Sequence, residues 1–373
     1  MRASFTALPV GQGDAFLVSS TAFSALIDGG RSRTSLPTVL SKHRRGGVLN
    51  VVVCTHNDAD HAEGLIGLLE SRNIKIDQVW LPGQWTSRLS DLLVAPEAFM
   101  LEVLDQINAL PDDLRRKSLS ELVNSYGEVD MMGEESPPIV EVLDEALEAS
   151  ARPVGRMRHL VGWWAMQFYP FRRMESRLLW EAIDAADRIR KLSNLAWLRA
   201  AAVRWFDVSS PPAMTTTMEP LSPVNAKEIT RISPYKPGVL EYLALSVSNK
   251  RSLCFEFRPT SDELAVLLTA DSDLNFVAPI RWSKGMIVTA PHHGSEANAH
   301  AYDRASQEFS SAQSIRWVRS DGRFRSRPGR TYLGRPIRYC TQCRPYNHRE
   351  QTVRFIATTA GWVTRATRCC RCM

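Results

Sequence analysis

The stretch that most constrains what this chain can fold into is residues 48–70, VLNVVVCTHNDADHAEGLIGLLE. Its first seven residues are mostly apolar and β-branched, which predicts a buried strand. From residue 64 the apolar residues return at helical spacing, which predicts a helix. The loop between them carries four ligand-type side chains, His56, Asp58, Asp60 and His61. Strand and helix therefore confine these four groups to one short segment.

The four side chains of this loop predict a metal site. Two imidazoles and two carboxylates this close together repel or stay poorly solvated unless a cation holds them. Imidazole nitrogen and carboxylate oxygen are the ligands that zinc, manganese and iron share. A plain polar loop with a capping Asp is the alternative. The density of ligand groups at a strand–helix junction favours the metal site.

Five short stretches, in chain order, resemble the metallo-β-lactamase fold. They are VGQGDA at 10–15, ALIDGG at 25–30, THNDADH at 55–61, LLTAD at 267–271 and APHHGS at 290–295. The first two resemble its opening hairpin, the third its His-x-[His/Asp]-x-Asp-His signature, and the last two its bridging-Asp and final-His strands. The GQGD opening, the Asp at the second ligand position and the HHGS close resemble the metallo-hydrolase domain of the bacterial competence DNA-uptake channel, the ComEC type.

The resemblance implies an α/β protein with the metallo-β-lactamase αββα sandwich, two mixed β-sheets flanked by helices. Residues 1–84 and 216–312 would form the two halves of that fold. Residues 85–215 leave the family pattern and form a large helical insertion, which could cap the metal cleft. Residues 313–373 form a basic, Cys-rich C-terminal extension. Helical periodicity in the insertion predicts helices at 89–109, 114–126, 139–149 and 174–206.

The resemblance also implies two divalent metal ions, Zn²⁺ or Mn²⁺, bridged by Asp271 and a water molecule. The ligands it implies are His56, Asp58 and His292 for one ion and Asp60 and His61 for the other. Asp60 would also orient the metal-activated hydroxide. No histidine lies between residues 160 and 291, so a ligand that many metallo-β-lactamase enzymes take from that interval is absent.

His292 and His293 follow the last predicted core strand, residues 286–290. Successive side chains on a strand point to opposite faces, so one of the pair is expected to bind metal. We assign His292 to the metal and His293 to a substrate or leaving-group contact, with the reverse assignment left open. Asp60 and His293 are thus the residues expected to act in catalysis.

Five further residues are expected to support the centre. By resemblance, Asp14 and Asp28 lie beneath the metal loop and are not ligands; a turn-forming role for each predicts nearly the same position. Asn249 and Ser252 resemble an Asn-x-x-Ser element, although a turn-forming Asn would look identical. Ser295 is a natural helix N-cap.

Four C-terminal cysteines have the spacing of a structural zinc site. They form two Cys-x2-Cys pairs, Cys340 with Cys343 and Cys369 with Cys372. A predicted hairpin lies between the pairs, so an additional zinc-ribbon-like Zn²⁺ site is one interpretation. Four reduced thiols in a flexible tail are the other. Disulfides are disfavoured because the protein is expected to be cytoplasmic.

The C-terminal charge favours a phosphate-rich partner. Residues 313–373 hold 14 Arg, no Lys and two acidic residues, a net charge of +12 within a chain whose total is +6. Guanidinium groups pair with phosphate bidentately. An Arg-rich coding bias would explain Arg in place of Lys, but not the scarcity of acidic residues. Nucleic acid or another phosphodiester is therefore the expected substrate.

Three functions remain in competition. The first is a metal-dependent phosphodiesterase or nuclease. The second is a hydrolase of a small phosphoester, cyclic nucleotide or lactone on the same centre, and the third is a non-catalytic binding module. Because the sequence has no apolar run of membrane-spanning length and no signal-peptide pattern, we expect a cytoplasmic protein with no membrane partner. A protein partner is compatible with the sequence, which does not identify one.

Overall fold

The computed structural model describes residues 3–43, 47–126, 137–151, 176–208, 220–233, 235–259, 264–320, 327–343 and 351–366. The strands in these ranges are β1 (Ser4–Ala7), β2 (Phe16–Ser19), β3 (Ser24–Ile27), β4 (Val48–Val53), β5 (Lys75–Pro82), β6 (Ala200–Asp207), β7 (Leu221–Pro223), β8 (Lys227–Ile229), β9 (Phe255–Phe257), β10 (Val266–Leu268), β11 (Ile287–Thr289), β12 (Arg316–Arg319), β13 (Arg338–Cys340), β14 (Val353–Thr358) and β15 (Gly361–Thr364).

These strands form two mixed sheets. The large sheet has the order β15-β14-β1-β2-β3-β4-β5-β6-β8, and the small sheet has the order β13-β12-β11-β10-β9-β7. Strands β3 to β6 run parallel to one another in the large sheet, as β10 to β13 do in the small sheet. The carboxyl ends of parallel strands lie at the same end of a sheet, so the loops that follow these strands lie together at that end.

The two sheets pack face to face. Phe5, Val53 and Trp80 of the large sheet share a buried apolar cluster with Phe255 and Leu268 of the small sheet. The rings of Trp80 and Phe255 lie 5.5 Å apart between their centroids. Side chains alternate between the faces of each strand, so the other face of each sheet is left for helices to cover.

Helices cover both outer faces. They are α1 (Ser35–His43), α2 (Ala59–Ser71), α3 (Thr86–Val94), α4 (Pro96–Ala109), α5 (Asp112–Arg115), α6 (Leu119–Leu122), α7 (Ile139–Ala151), α8 (Ser176–Arg199), α9 (Val239–Ser246), α10 (Ala299–Glu308) and α11 (Arg330–Leu333). Residues of α1 to α4 and of α6 to α9 share one buried apolar cluster with the large sheet, and α10 and α11 share another with the small sheet. The layers are helix, sheet, sheet and helix. None of the described helices is long and apolar enough to cross a membrane.

The insertion differs from its predicted helices in three places. The helix expected at 174–206 ends at Arg199, and Ala200–Asp207 forms β6, which pairs in parallel with β5 along the large sheet. Three consecutive alanines favour a helix locally, but pairing with β5 places this segment in the sheet. The helix expected at 89–109 is two helices, because Pro96 lacks the N–H needed inside a helix and instead begins α4.

The helix expected at 114–126 is also interrupted. It consists of the short α5 and α6 and a 3₁₀ turn at Val123–Ser125. Ser118 starts α6 with a capping box, in which its hydroxyl accepts from the Glu121 amide and the Glu121 carboxylate accepts from the Ser118 amide. A strong capping signal therefore restarts the helix where periodicity alone predicted continuity.

The packing of α2 against the β3 loop generates a stability prediction. A methyl group at Gly64 would lie 1.8 Å from the carbonyl oxygen of Gly29, which is backbone and cannot move aside easily. We expect Gly64→Ala to lower the free energy of unfolding by about 1–3 kcal/mol, although alanine is the better helix former. Gly334→Ala is the control, because its added methyl would meet atoms no nearer than 3.4 Å. Equal unfolding free energies for the two variants in urea titrations would contradict this packing.

Candidate metal centre

The loop after β4 is held in place by Asp28, which follows β3. The Thr55 amide and the Thr55 hydroxyl donate to the two carboxylate oxygens of Asp28, at 2.9 and 2.8 Å. Asp28 also lies 2.8 Å from Nδ1 of His61 through its Oδ2 atom. All three side chains are buried. Asp28 therefore anchors both ends of the loop.

Helix α8 also hydrogen-bonds to this loop, and the sequence did not predict this contact. The Asn57 side-chain amide donates to the Ala185 carbonyl and to the Ser246 hydroxyl, both at 3.0 Å. The Arg188 guanidinium Nε donates to the Asn57 carbonyl at 2.9 Å. Asn57 sits between two predicted ligands, so the insertion helps to set the position of the loop.

The turn before β2 approaches the same loop closely. Gly13 has a φ of +94°, and a methyl group there would lie 1.8 Å from the Asp60 carbonyl oxygen. Glycine is thus required both by the left-handed backbone and by the close approach. The next amide, that of Asp14, donates to the same carbonyl at 3.2 Å.

Asp271 lies at the centre of the site and faces four imidazoles. Its Oδ1 atom is 3.1 Å from His61 Nε2 and 3.5 Å from His293 Nε2. Its Oδ2 atom is 3.8 Å from His56 Nε2 and 3.6 Å from His292 Nε2. Each carboxylate oxygen therefore faces a different pair of histidines.

These contacts define two half-sites. The inner half-site is Asp60, His61, His293 and Asp271 Oδ1, and the outer half-site is His56, Asp58, His292 and Asp271 Oδ2. In the inner half-site, Asp60 Oδ2 lies 3.4 Å from His293 Nε2. In the outer half-site, Asp58 Oδ2 lies 3.7 Å from His56 Nε2. Ligand atoms of Asp14, His61, Asp271 and His293 lie within 4.8 Å of one another, as do those of His56, Asp58 and Asp271.

The expectation that His292 and His293 point to opposite faces is wrong. Strand β11 ends at Thr289, and both histidines have left-handed backbone angles, with φ of 48° and 54°. The alternation of a strand therefore does not apply to them. Both Nε2 atoms face Asp271, and His293 is the more buried of the two. The geometry thus places His293 among the inner ligand-type groups, where the sequence suggested a substrate contact.

Unpartnered polar atoms test whether these residues fit a cation. The Nε2 atoms of His56, His61 and His293 and the Oδ1 atom of Asp271 are buried and have no hydrogen-bond partner. A buried polar atom left unpaired costs about 1–3 kcal/mol. Because Asp28 is an acceptor, a neutral His61 carries its proton on Nδ1 and directs the Nε2 lone pair at Asp271. Imidazole lone pairs and carboxylate oxygens converging on one space fit a divalent metal ion.

Burial and mutual charge perturb the titration of these groups. Burial alone would raise the pKa of Asp271, but the charges of His293 and His61 hold it well below its usual value. Burial opposes a charge on His61, yet Asp271 and Asp28 raise the pKa of its imidazole well above the usual value. Burial raises the pKa of Asp14, with partial opposition from His293. Cation binding must therefore displace protons from the histidines.

Asn249 and Asn298 adjoin His292, one of the two outer histidines. The Asn249 side-chain nitrogen lies 3.4 Å from His292 Nε2, and the Asn298 side-chain oxygen lies 3.3 Å from His292 Nδ1. Ser295 is an N-cap, since its hydroxyl accepts from the Ala297 amide. Ser252 is buried, and its carbonyl accepts from the Asn225 side chain. Asn298 had not been singled out from the sequence.

A buried arginine behind His293 was also missed. Arg319, at the end of β12, donates from Nε to the His293 carbonyl at 2.6 Å and is almost fully buried. Its position next to the final-His turn depends on the parallel pairing of β11 with β12, which no local sequence signal specifies.

The predicted zinc-ribbon-like site is only partly within the described residues. Cys340 and Cys343 are buried beside the small sheet, where the Gln351 side chain donates to the carbonyls of both. Cys369 and Cys372 lie outside the described residues, so the four-cysteine site stays a prediction.

Two comparisons with known proteins found no match. A scan against protein-family models found no match, and neither did a search of the curated proteins. The resemblance therefore rests on the sequence motifs, and the two-sheet fold with its buried His/Asp cluster is compatible with a metallo-hydrolase fold.

The central position of Asp271 yields a binding prediction. We expect Asp271→Asn to abolish tight binding of Mn²⁺, because both half-sites lose a charged oxygen at once. Asp273→Asn, two residues away and hydrogen-bonded to the Asn275 amide, should bind Mn²⁺ like the wild type. Isothermal titration calorimetry measures both. Unchanged Mn²⁺ affinity in Asp271→Asn would show that the cluster does not hold the ion.

Proposed function

We propose that the protein is a metal-dependent hydrolase of the metallo-β-lactamase type, acting on phosphodiesters. The observation that carries the proposal is the placement of Asp271, whose two oxygens each face a separate set of histidines and aspartates. Two divalent ions held there would supply Lewis acidity to a scissile phosphoryl group and to a water molecule. The ComEC-type resemblance of the motifs supports the same reaction class.

Asp60 is the residue best placed to orient the attacking water. Burial opposes its ionisation, but the charges of the nearby His293 and His61 imidazoles keep the pKa of its carboxyl below the usual value. An ionised carboxylate accepts hydrogen bonds and does not donate them. Asp60 would therefore hold the water by accepting a hydrogen bond from it, while His293 fixes the carboxylate from the inner side.

The outer half-site is the side that substrate would approach. The side chains of His292 and Asp58 are 32% and 33% exposed, whereas that of His61 is fully buried. Asn249 and Asn298 hold the His292 ring in place. A phosphate oxygen entering from solvent would thus meet His292 and Asp58 before it meets the buried groups.

A basic segment adjoins the turn that carries the two histidines. The Gly329 amide donates to the Gly294 carbonyl at 2.7 Å, and the Thr331 amide donates to the Glu296 carboxylate at 3.0 Å. Arg327 and Arg330 are exposed on this segment. Exposed guanidinium groups on a segment bonded to the histidine turn suit the phosphates of a polymeric substrate, and this favours nucleic acid over a small phosphoester.

The reaction class is tested by direct assay. With Mn²⁺ or Zn²⁺ the protein should hydrolyse bis-p-nitrophenyl phosphate and at least one of single-stranded DNA, duplex DNA and RNA. Asp60→Asn should lower kcat about 100-fold or more, whereas Asp303→Asn, at an exposed position on α10, should leave it unchanged. Turnover of the small diester alone would eliminate the nuclease proposal. Equal activity of Asp60→Asn and wild type would eliminate the metal-hydrolase proposal.

The basic segment gives a separate prediction. Reversing the charges in the double variant Arg327→Glu, Arg330→Glu should raise KM for the nucleic acid about tenfold or more at low salt. The variant should leave kcat/KM for bis-p-nitrophenyl phosphate unchanged, because a small diester does not reach the segment. Arg354→Glu, Arg365→Glu is the matched control, on exposed positions of β14 and after β15. Equal increases in KM for both double variants would point to a non-specific charge effect.

A further inference from the structure

The groups behind the inner histidines are carboxylates. His61 Nδ1 lies 2.8 Å from Asp28 Oδ2, and His293 Nδ1 lies 3.1 Å from Asp14 Oδ1. Both aspartates are almost fully buried. A carboxylate in this position fixes the histidine tautomer and raises the basicity of the nitrogen that binds metal. Each inner histidine is therefore held in its most strongly binding form.

The groups behind the outer histidines are neutral. His56 Nδ1 lies 3.1 Å from the Thr55 hydroxyl, and His292 Nδ1 lies 3.3 Å from the Asn298 side-chain oxygen. A hydroxyl or an amide orients an imidazole but polarises it less than a carboxylate does. The outer imidazoles are thus weaker ligands than the inner ones.

Burial differs between the half-sites in the same direction, with His56 as the exception. In the inner half-site the side chains of His61, His293 and Asp60 are 0%, 8% and 22% exposed. In the outer half-site those of His292 and Asp58 are 32% and 33% exposed, whereas His56 is fully buried. The buried, unpartnered ligand atoms are His61 Nε2, His293 Nε2 and Asp271 Oδ1 on the inner side and His56 Nε2 on the outer side. Water can satisfy His292 and Asp58 more readily than the inner groups, so a cation gains less in the outer half-site.

We propose that the two half-sites load cations in order and with unequal affinity. The inner half-site binds first and retains its ion, while the outer half-site binds a second ion that exchanges with solvent. This inference rests on the proposed function, since it assigns the ion that completes the hydrolytic centre to the outer half-site. The free concentration of divalent cation would then set the active fraction of the protein.

Mn²⁺ alone is the probe for the test. Metal-free protein is titrated with Mn²⁺ by calorimetry and by electron paramagnetic resonance, without substrate. We expect two binding events whose Kd values differ at least tenfold. The first equivalent should give the spectrum of isolated Mn²⁺, and the second should convert it to that of a spin-coupled pair. Two events of equal affinity, or spin coupling from the first equivalent, would overturn the proposal.

Two variants assign the events to the half-sites. Asp14→Asn keeps the shape of the residue behind His293 but removes its charge, so it should weaken the tight event about 10–100-fold and leave the weak event unchanged. Asn249→Asp places a charge beside His292 and should strengthen the weak event alone. Asp273→Asn should change neither event. A weak event altered by Asp14→Asn, or a tight event altered by Asn249→Asp, would contradict the assignment.

The outcome is separable from that of the proposed function. Ordered Mn²⁺ binding without phosphodiester turnover would retain the unequal half-sites and reject the hydrolase. Turnover with two ions of equal affinity would retain the hydrolase and reject the unequal half-sites.

Discussion

The structure of this centre depends on one buried charge, the Asp271 carboxylate. It is almost fully buried and is faced by the Nε2 atoms of four histidines. A carboxylate in such a place is tolerable only when positive charge surrounds it. The imidazoles can supply that charge as protons, and a pair of divalent ions can supply it in their place. The fold therefore brings together, around Asp271, the groups at which divalent ions would replace the protons of the histidines.

Elements from every part of the fold converge on that point. The carboxyl ends of β4, β10 and β11 supply the ligand-type residues, and the turns beside β2 and β3 supply Asp14 and Asp28. Helix α8, from the insertion, fixes the loop through Arg188 and Asn57. The insertion is therefore bonded to the centre as well as packed against the large sheet. A substitution in α8 that moves Asn57 would also move its neighbours His56 and Asp58, which belong to the outer half-site where the proposed exchangeable ion binds.

The sequence predicts the centre better than it predicts the surroundings. The loop at 55–61 could be identified because its ligand-type groups are adjacent in the chain, between a clear strand and a clear helix. Strand β6 could not be identified, because its alanines favour a helix locally and only pairing with β5 makes the segment a strand. His292 and His293 were expected to alternate as on a strand, but their left-handed backbone was not visible from residue types. Arg188, Asn298 and Arg319 act through contacts distant in sequence, which no local pattern specifies.

The most direct test of the account is an anomalous diffraction experiment on crystals grown with Mn²⁺. The account predicts two manganese peaks on opposite sides of Asp271. Oδ1 should be nearest to the peak beside His61 and His293, and Oδ2 nearest to the peak beside His56 and His292. A single peak, or peaks remote from Asp271, would contradict the claim that this carboxylate joins two cation sites.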